Sequence, residues 1–196
     1  MLIMLWSKTP KTNKINPKLN ICVVKTDKDG NKSWLYGQNQ VTNDGDIYYA
    51  TRAGVNPTSQ VLPDPNFFDA ACVLQNPSSA NTIAKTDTYG SVTNPIVSSG
   101  AVRGLTSGYP KTADADSDNT GASADAISYR FDWATNQINT ASGNPITGGA
   151  IYDVGQTSPV SGTKILTHWN FTSPATFHKT STDTLKLFVN HTFNGV

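Results

Sequence analysis

Hydrophobic and polar residues alternate with a period of two along residues 126–133. Ile127, Tyr129, Phe131 and Trp133 fall on one face, and Ser128, Arg130 and Asp132 on the other. That alternation predicts a half-buried antiparallel strand. Residues 164–171 and 183–193 repeat the pattern, with turn chemistry between them. Residues 20–37 predict a hairpin, in which 21–26 and 32–36 flank a turn built on Asp29-Gly30. A further strand is expected over 46–52, after an Asn43-Asp44-Gly45 turn. Residues 54–66 contain Pro57, Pro63 and Pro65 and read as a loop, while 67–74 is read as a strand in preference to a short helix. Residues 75–98 are polar with one weak strand, 101–105 form another strand, and 106–125 form a long polar loop. Strand character resumes over 146–153, where Gly148-Gly149 marks a bulge or a close backbone approach. Strands spaced by turn-rich loops, with no 3.6-residue period, predict an all-β antiparallel sandwich of the jelly-roll type. No internal repeat is present, and one boundary is expected: an extended arm over 1–19 and a single β-sandwich domain over 20–196.

Composition strengthens the all-β reading. The chain has 196 residues, enough for one large β domain, and its 14 acidic residues are all Asp. Glu favours helices, whereas the abundant Thr suits strands and Asn and Asp suit turns. The net charge of +1 hides an asymmetry. Residues 1–32 carry seven Lys against two Asp (+5), and the remainder carries eight Lys and Arg against twelve Asp (−4). A basic end on a mildly acidic body reads as an arm that meets something acidic, or as a solvated end. Pro10 and Pro17 keep that arm extended, and Leu2, Ile3, Leu5 and Trp6 are its apolar anchors. The apolar start is too short for the hydrophobic core of a secretion signal, and no stretch approaches the roughly 20 apolar residues of a membrane span. Synthesis in the cytosol is therefore expected.

Candidate chemistry is sparse. Asp114, Asp116, Asp118 and Asp125 occupy positions one, three, five and twelve of a calcium-loop pattern. Asn119 stands at the sixth position where that pattern has Gly, and Asp125 where it has Glu, so a polar surface loop is the competing reading. His168 and His191 lie in the last two strands, where they could face each other across the sheet, although a metal site usually needs further ligands. His178 completes the histidines. Cys22 and Cys72 sit in apolar runs, fit no zinc or redox spacing, and read as buried hydrophobes, with pairing left open. Neither Ser99-Gly100-Ala101 nor Thr106-Ser107-Gly108 makes a nucleophile elbow, and no phosphate-binding glycine motif occurs. Asp132 and Asp153 are the strand-borne carboxylates that a glycosidase would pair. Trp34, Tyr48, Tyr49 and Trp169 could stack on sugars or fill a core. Asn170 and Asn190 head glycosylation sequons of a kind that Thr- and Asn-rich sequence produces by chance. The basic arm lacks interleaved aromatics beyond Trp6, so specific nucleic-acid recognition is not expected. No catalytic, metal-binding or cofactor-binding residues are assigned, and the protein is expected not to be an enzyme.

Residues 127–133 lead to an Ile-Thr-Gly-Gly-Ala-Ile-Tyr-Asp strand over 146–153. A Ser161-Gly162 turn, the strand 164–171 and a closing stretch 179–193 that begins Lys-Thr-Ser-Thr-Asp-Thr follow. This succession resembles a loosely defined set of tailed-bacteriophage virion proteins and covers about half of the chain, leaving 1–95 outside. The resemblance implies a structural β-sandwich module on a virion, with no functional residues to transfer. The function expected from it is capsid decoration or cement, bound in many copies to the capsid lattice. A neck, tail or fibre-adaptor protein is the related alternative, and a glycan-binding sandwich on the virion surface is the alternative from another class. The implied partners are a major capsid protein or neighbouring virion subunits, including other copies of this chain, with no membrane, and the implied location is the virion, assembled in the host cytoplasm.

Overall fold

The computed structural model of the chain describes residues 20–53, 70–79, 81–153 and 161–193. The expected arm over 1–19, with its apolar anchors, the loop over 54–66 and residues 67–69 lie outside the described residues. Among the described residues, nine strands and one α-helix follow in chain order: β1 (Ile21–Thr26), β2 (Lys32–Val41), α1 (Asn43–Ala53), β3 (Ala70–Gln75), β4 (Arg103–Gly104), β5 (Lys111–Thr112), β6 (Ala126–Trp133), β7 (Gly148–Asp153), β8 (Ile165–Ser173) and β9 (Thr184–Thr192). All of the strands belong to one sheet in the order β4-β3-β7-β8-β2-β1-β9-β6-β5. Every pairing in it is antiparallel. The fold is thus all-β and antiparallel, as the alternation predicts.

The sheet curls until its ends meet. Arg103 Nε donates to the carbonyl of Asp132 (2.8 Å), and the Thr106 N–H donates to the carbonyl of Arg130 (2.9 Å). The Trp133 indole N–H donates to the carbonyl of Ala101 (2.6 Å). These bonds bring the β4 end against β6, across the curl. The concave face holds the main core, in which Ile21, Val23, Cys72, Phe131, Trp133, Trp169, Leu187 and Val189 are buried.

The convex face is covered as well, in two places. The stretch between β5 and β6 packs over Cys22, Val24 and Phe188, with Tyr36 and Tyr109 beside them. The stretch between β3 and β4 packs over Ala71, Val73, Ala150, Tyr152 and Ile165 through Tyr89, Val92 and Val102. A strand covered on both faces needs apolar residues at every position. That explains the unbroken runs Ile21-Cys22-Val23-Val24 and Ala70-Ala71-Cys72-Val73-Leu74, which are buried throughout.

The β1–β2 hairpin forms around Asp27, whose carboxylate accepts the N–H groups of Asp29 and Asn31 (both 2.9 Å), while Gly30 takes φ +84°. Gly148 and Gly149 mark a close approach. A Cβ on Gly148 would lie 2.1 Å from the Trp169 carbonyl oxygen, and one on Gly149 would lie 2.5 Å from that of Val73. The register shift in β7 falls later, between Ile151 and Tyr152.

Three stretches differ from expectation. Among the described residues of 76–98 no strand forms, and the loop expected over 106–125 holds β5. The strand expected over 46–52 is helix α1. The hydroxyl of Thr42 accepts the Gly45 N–H (3.0 Å), which caps the first turn. Asp44 and Asp46 favour the positive end of the helix dipole. Thr42 also donates through its backbone N–H to the Leu166 carbonyl (3.1 Å), which pins the helix start to β8. Gly45 is required there, since a Cβ would lie 2.3 Å from the same carbonyl oxygen. The β-favouring side chains of Ile47, Tyr48 and Tyr49 yield to this tertiary anchoring, and Tyr48 and Tyr49 pack on the core. Among the described residues, no helix is long and apolar enough to cross a membrane.

Candidate functional site

Three polar constellations stand out from the β scaffold. The first is the aspartate run after β5. Its carboxylates diverge onto separate cations of the chain instead of converging. Asp114 accepts from the Tyr109 hydroxyl and the Asn119 amide (both 3.0 Å) and pairs with Lys111 (3.0 Å). Asp116 pairs with Arg130 (3.0 Å), and Asp118 pairs with Lys186 (2.7 Å) and Lys32 (2.9 Å). Asp114 and Asp116 also accept the N–H groups of Asp116 and Asp118, respectively (3.1 and 2.9 Å), so their alternation builds the turns. Asp125 takes the Ser123 hydroxyl (2.6 Å).

The hydrogen bonds of Lys186 and then Lys32 hold the Asp118 carboxyl below the usual carboxylate range. Burial pushes Asp114 up, but the Asn119 amide, the Asp116 N–H, Lys111 and Tyr109 outweigh it and leave the carboxyl lowered. Asn119 and Asn190 exchange amide hydrogen bonds (3.0 and 2.9 Å), and Ser128 donates to Asn190 (2.6 Å). The calcium-loop pattern therefore serves as a strap on the convex face. The stretch is a surface loop with three buried anchors: Asp114, Asp118 and Asn119 are buried, while Ala115, Ser117 and residues 123–125 are exposed.

The second constellation fastens the stretch between β3 and β4. His168, fully buried on the convex face, faces Asp87 through Nδ1 (2.7 Å) and Gln75 through Nε2 (3.4 Å). Gln75 accepts from Asn81 (2.8 Å), and Asn170 donates to the Asn81 carbonyl (2.8 Å). Burial pushes the His168 pKa down against the opposing pull of Asp87. This is a histidine–carboxylate pair, but its second nitrogen meets an amide and not a hydroxyl or thiol nucleophile, so the arrangement positions a loop.

The third lies on the concave side, under α1. The Tyr49 hydroxyl bonds the Tyr129 hydroxyl (3.0 Å) and His191 Nδ1. The Tyr49 ring packs edge-on to Phe193, with centroids 5.1 Å apart. Burial, then Tyr129, pushes the Tyr49 phenol far up, and burial pushes the His191 imidazole down to about 3. A cleft of about 330 Å³ opens at this end of β1, β2 and β9, lined by Asn20, Asn39, Gln40, Asp46, His191 and Phe193 among others. A second cleft, of about 260 Å³, shares Asn39 and Gln40 and adds Gln38, Asn170 and Thr172.

The remaining sequence candidates separate. His168 and His191 lie on opposite faces, with β2 and β1 between their strands. His178 is exposed and donates through Nδ1 to the Thr140 carbonyl (2.6 Å). Among the described residues, no three His, Cys, Asp or Glu side chains group as metal ligands would. Cys22 and Cys72 are free thiols on opposite faces, and burial raises both. Asp132 engages Thr106 and Arg130 (both 3.0 Å) on β6, whereas Asp153 ends β7, with β3 and β4 between the two strands round the curl. Trp169 is core, and Trp34 is 39% exposed on β2. The sequon residues Asn170 and Asn190 are both tied into the networks above, Asn190 with no exposure at all. Sequence reasoning missed Asp87, Gln75, Asn81 and the Tyr49–His191 contact, since each acts through a partner remote in the chain, and Asn39, whose amide nitrogen is buried without a partner by the folding of the sheet. Comparison with known proteins finds no family model, no curated protein and no solved structure that matches this chain.

Proposed function

We propose that this chain is a non-enzymatic structural protein of a tailed-bacteriophage virion, a decoration or cement subunit bound to the capsid lattice in many copies. The observation that carries the reading is where the resembling segments fall. Those over 127–133, 146–153, 164–171 and 179–193 supply β6, β7, β8 and β9 of one sheet. We take that curled sheet as a flattened, jelly-roll-like sandwich. Three features support a structural role. The concave core is filled by large side chains, both convex straps are locked by buried polar networks, and the ends of the sheet are joined. Such a body holds its shape while it is bound from outside.

In this reading the basic segment 1–19 is an arm that lies on an acidic capsid surface or on a neighbouring subunit, anchored by Leu2, Ile3, Leu5 and Trp6. Each contact is weak, and the multiplicity of the lattice makes the sum strong. Deleting residues 1–19 should abolish attachment to particles lacking this protein, measured by co-sedimentation. The circular-dichroism melt should stay close to that of the full chain. Unchanged occupancy by the truncated protein would overturn the role given to the arm.

A further inference from the structure

The cleft beside α1 contains two buried nitrogens that the fold leaves unpaired. Asn39 Nδ2 and His191 Nε2 have no hydrogen-bond partner, and both residues line this cleft. His191 is 3% exposed, and its other nitrogen is already engaged by the Tyr49 hydroxyl. A neutral imidazole has one donor and one acceptor nitrogen, so with Nδ1 taken by Tyr49, Nε2 is left, like the Asn39 amide nitrogen, for a group from outside. A buried donor without an acceptor costs stability, and an acceptor brought in by a ligand recovers that cost. The molecule therefore holds two polar nitrogens ready for hydroxyl groups it does not itself supply.

We infer that this cleft binds a neutral saccharide, whose hydroxyl groups hydrogen-bond Asn39 and His191 while an apolar ring face lies on Phe193. The lining decides the class. Asn20, Gln40 and Thr192 offer both donors and acceptors, as a polyhydroxylated ligand requires, and Phe193 is 47% exposed beside them. Among the described residues, Asp46 is the one charged residue of the lining, and it pairs with Lys85 outside it, so an anionic ligand would meet no cation among them. Burial keeps His191 neutral and removes it as a counter-charge. The volume of about 330 Å³ sits at the lower end of the roughly 300–1,000 Å³ usual for ligand sites. This site is independent of the capsid-binding role, since it uses neither the arm nor the straps.

Saturation-transfer NMR on the full chain tests the inference, with glucose, galactose, N-acetylglucosamine and their disaccharides as probes and glucuronate as the anionic comparison. The expected result is binding of at least one neutral sugar, weakened about tenfold or more in both Asn39→Val and Phe193→Ala. Phe193→Ala alters an exposed ring and should leave the fold intact by circular dichroism. Asn39→Val should raise the melting temperature while it weakens binding, because it removes an unpaired buried donor. A residue with a merely structural role would do the reverse. No signal from any neutral sugar at millimolar concentration, a preference for glucuronate, binding that survives both substitutions, or a lowered melting temperature for Asn39→Val would each overturn it.

Discussion

Acidifying the protein from pH 7 to pH 5 should cost about 2 kcal/mol of folding stability through His191 alone. The side chain is 3% exposed, and its pKa in the fold is pushed down to about 3 by burial. In the unfolded chain it titrates near its ordinary value of about 6.5. Below that value the unfolded state takes up a proton that the folded state refuses, so stability falls as the pH drops from 6.5 toward 3. Each pH unit inside the window is worth about 1.4 kcal/mol. His168, whose pKa is also lowered by burial, acts in the same direction. Asp114 and Asp118 are lowered carboxylates, and their contribution is lost only at more acidic pH, as the pH falls through their folded pKa values. Urea unfolding at pH 7 and pH 5 measures the effect, with His191→Phe as the comparison. The substitution should remove about 2 kcal/mol of the difference between the two pH values. The same loss of stability in both proteins would show that His191 is protonated in the fold.

Trp133→Ala should destabilise the fold by about 3–5 kcal/mol, the usual cost of emptying a large aromatic site. Trp133 is 1% exposed, sits in the concave core, and donates its indole N–H to the Ala101 carbonyl where the curl closes. Trp133→Phe keeps much of the apolar volume but strands that carbonyl, so a smaller loss of about 1–3 kcal/mol is expected. Trp34, which is 39% exposed on β2, provides the contrast, and Trp34→Ala should cost less than about 1 kcal/mol. Denaturant midpoints for the three variants give this ranking directly. Equal effects at Trp34 and Trp133 would contradict the assignment of Trp133 to the closing seam.

Much of the sheet was legible because its signals are local. The faces of β6 could be read from Ile127 to Trp133, the first hairpin from Asp29-Gly30, and the close approach of β7 from Gly148-Gly149. Helix α1 was misread because Ile47, Tyr48 and Tyr49 favour strands residue by residue. The Thr42 cap and the acids at Asp44 and Asp46 were present in the sequence, but the anchoring carbonyl belongs to Leu166. The aspartate run shows the same limit more sharply. Its internal spacing suits a cation, yet Lys32 and Lys186 lie 86 and 68 residues from Asp118. Asn119 and Asn190 find each other across 71 residues. No local pattern encodes those partners, since the sheet order that assembles them is set by pairing over the whole chain. Double-sided burial of β1 and β3 left a trace in their unbroken apolar runs, without saying what would cover them.

The most direct test of the virion reading is the number of copies of this chain per purified particle, measured by quantitative mass spectrometry against the major capsid protein. The account predicts a ratio near one per capsid subunit, or one per three, as a decoration or cement protein requires. A few copies per particle would place the chain at the neck or tail instead, and its absence from particles would contradict the account.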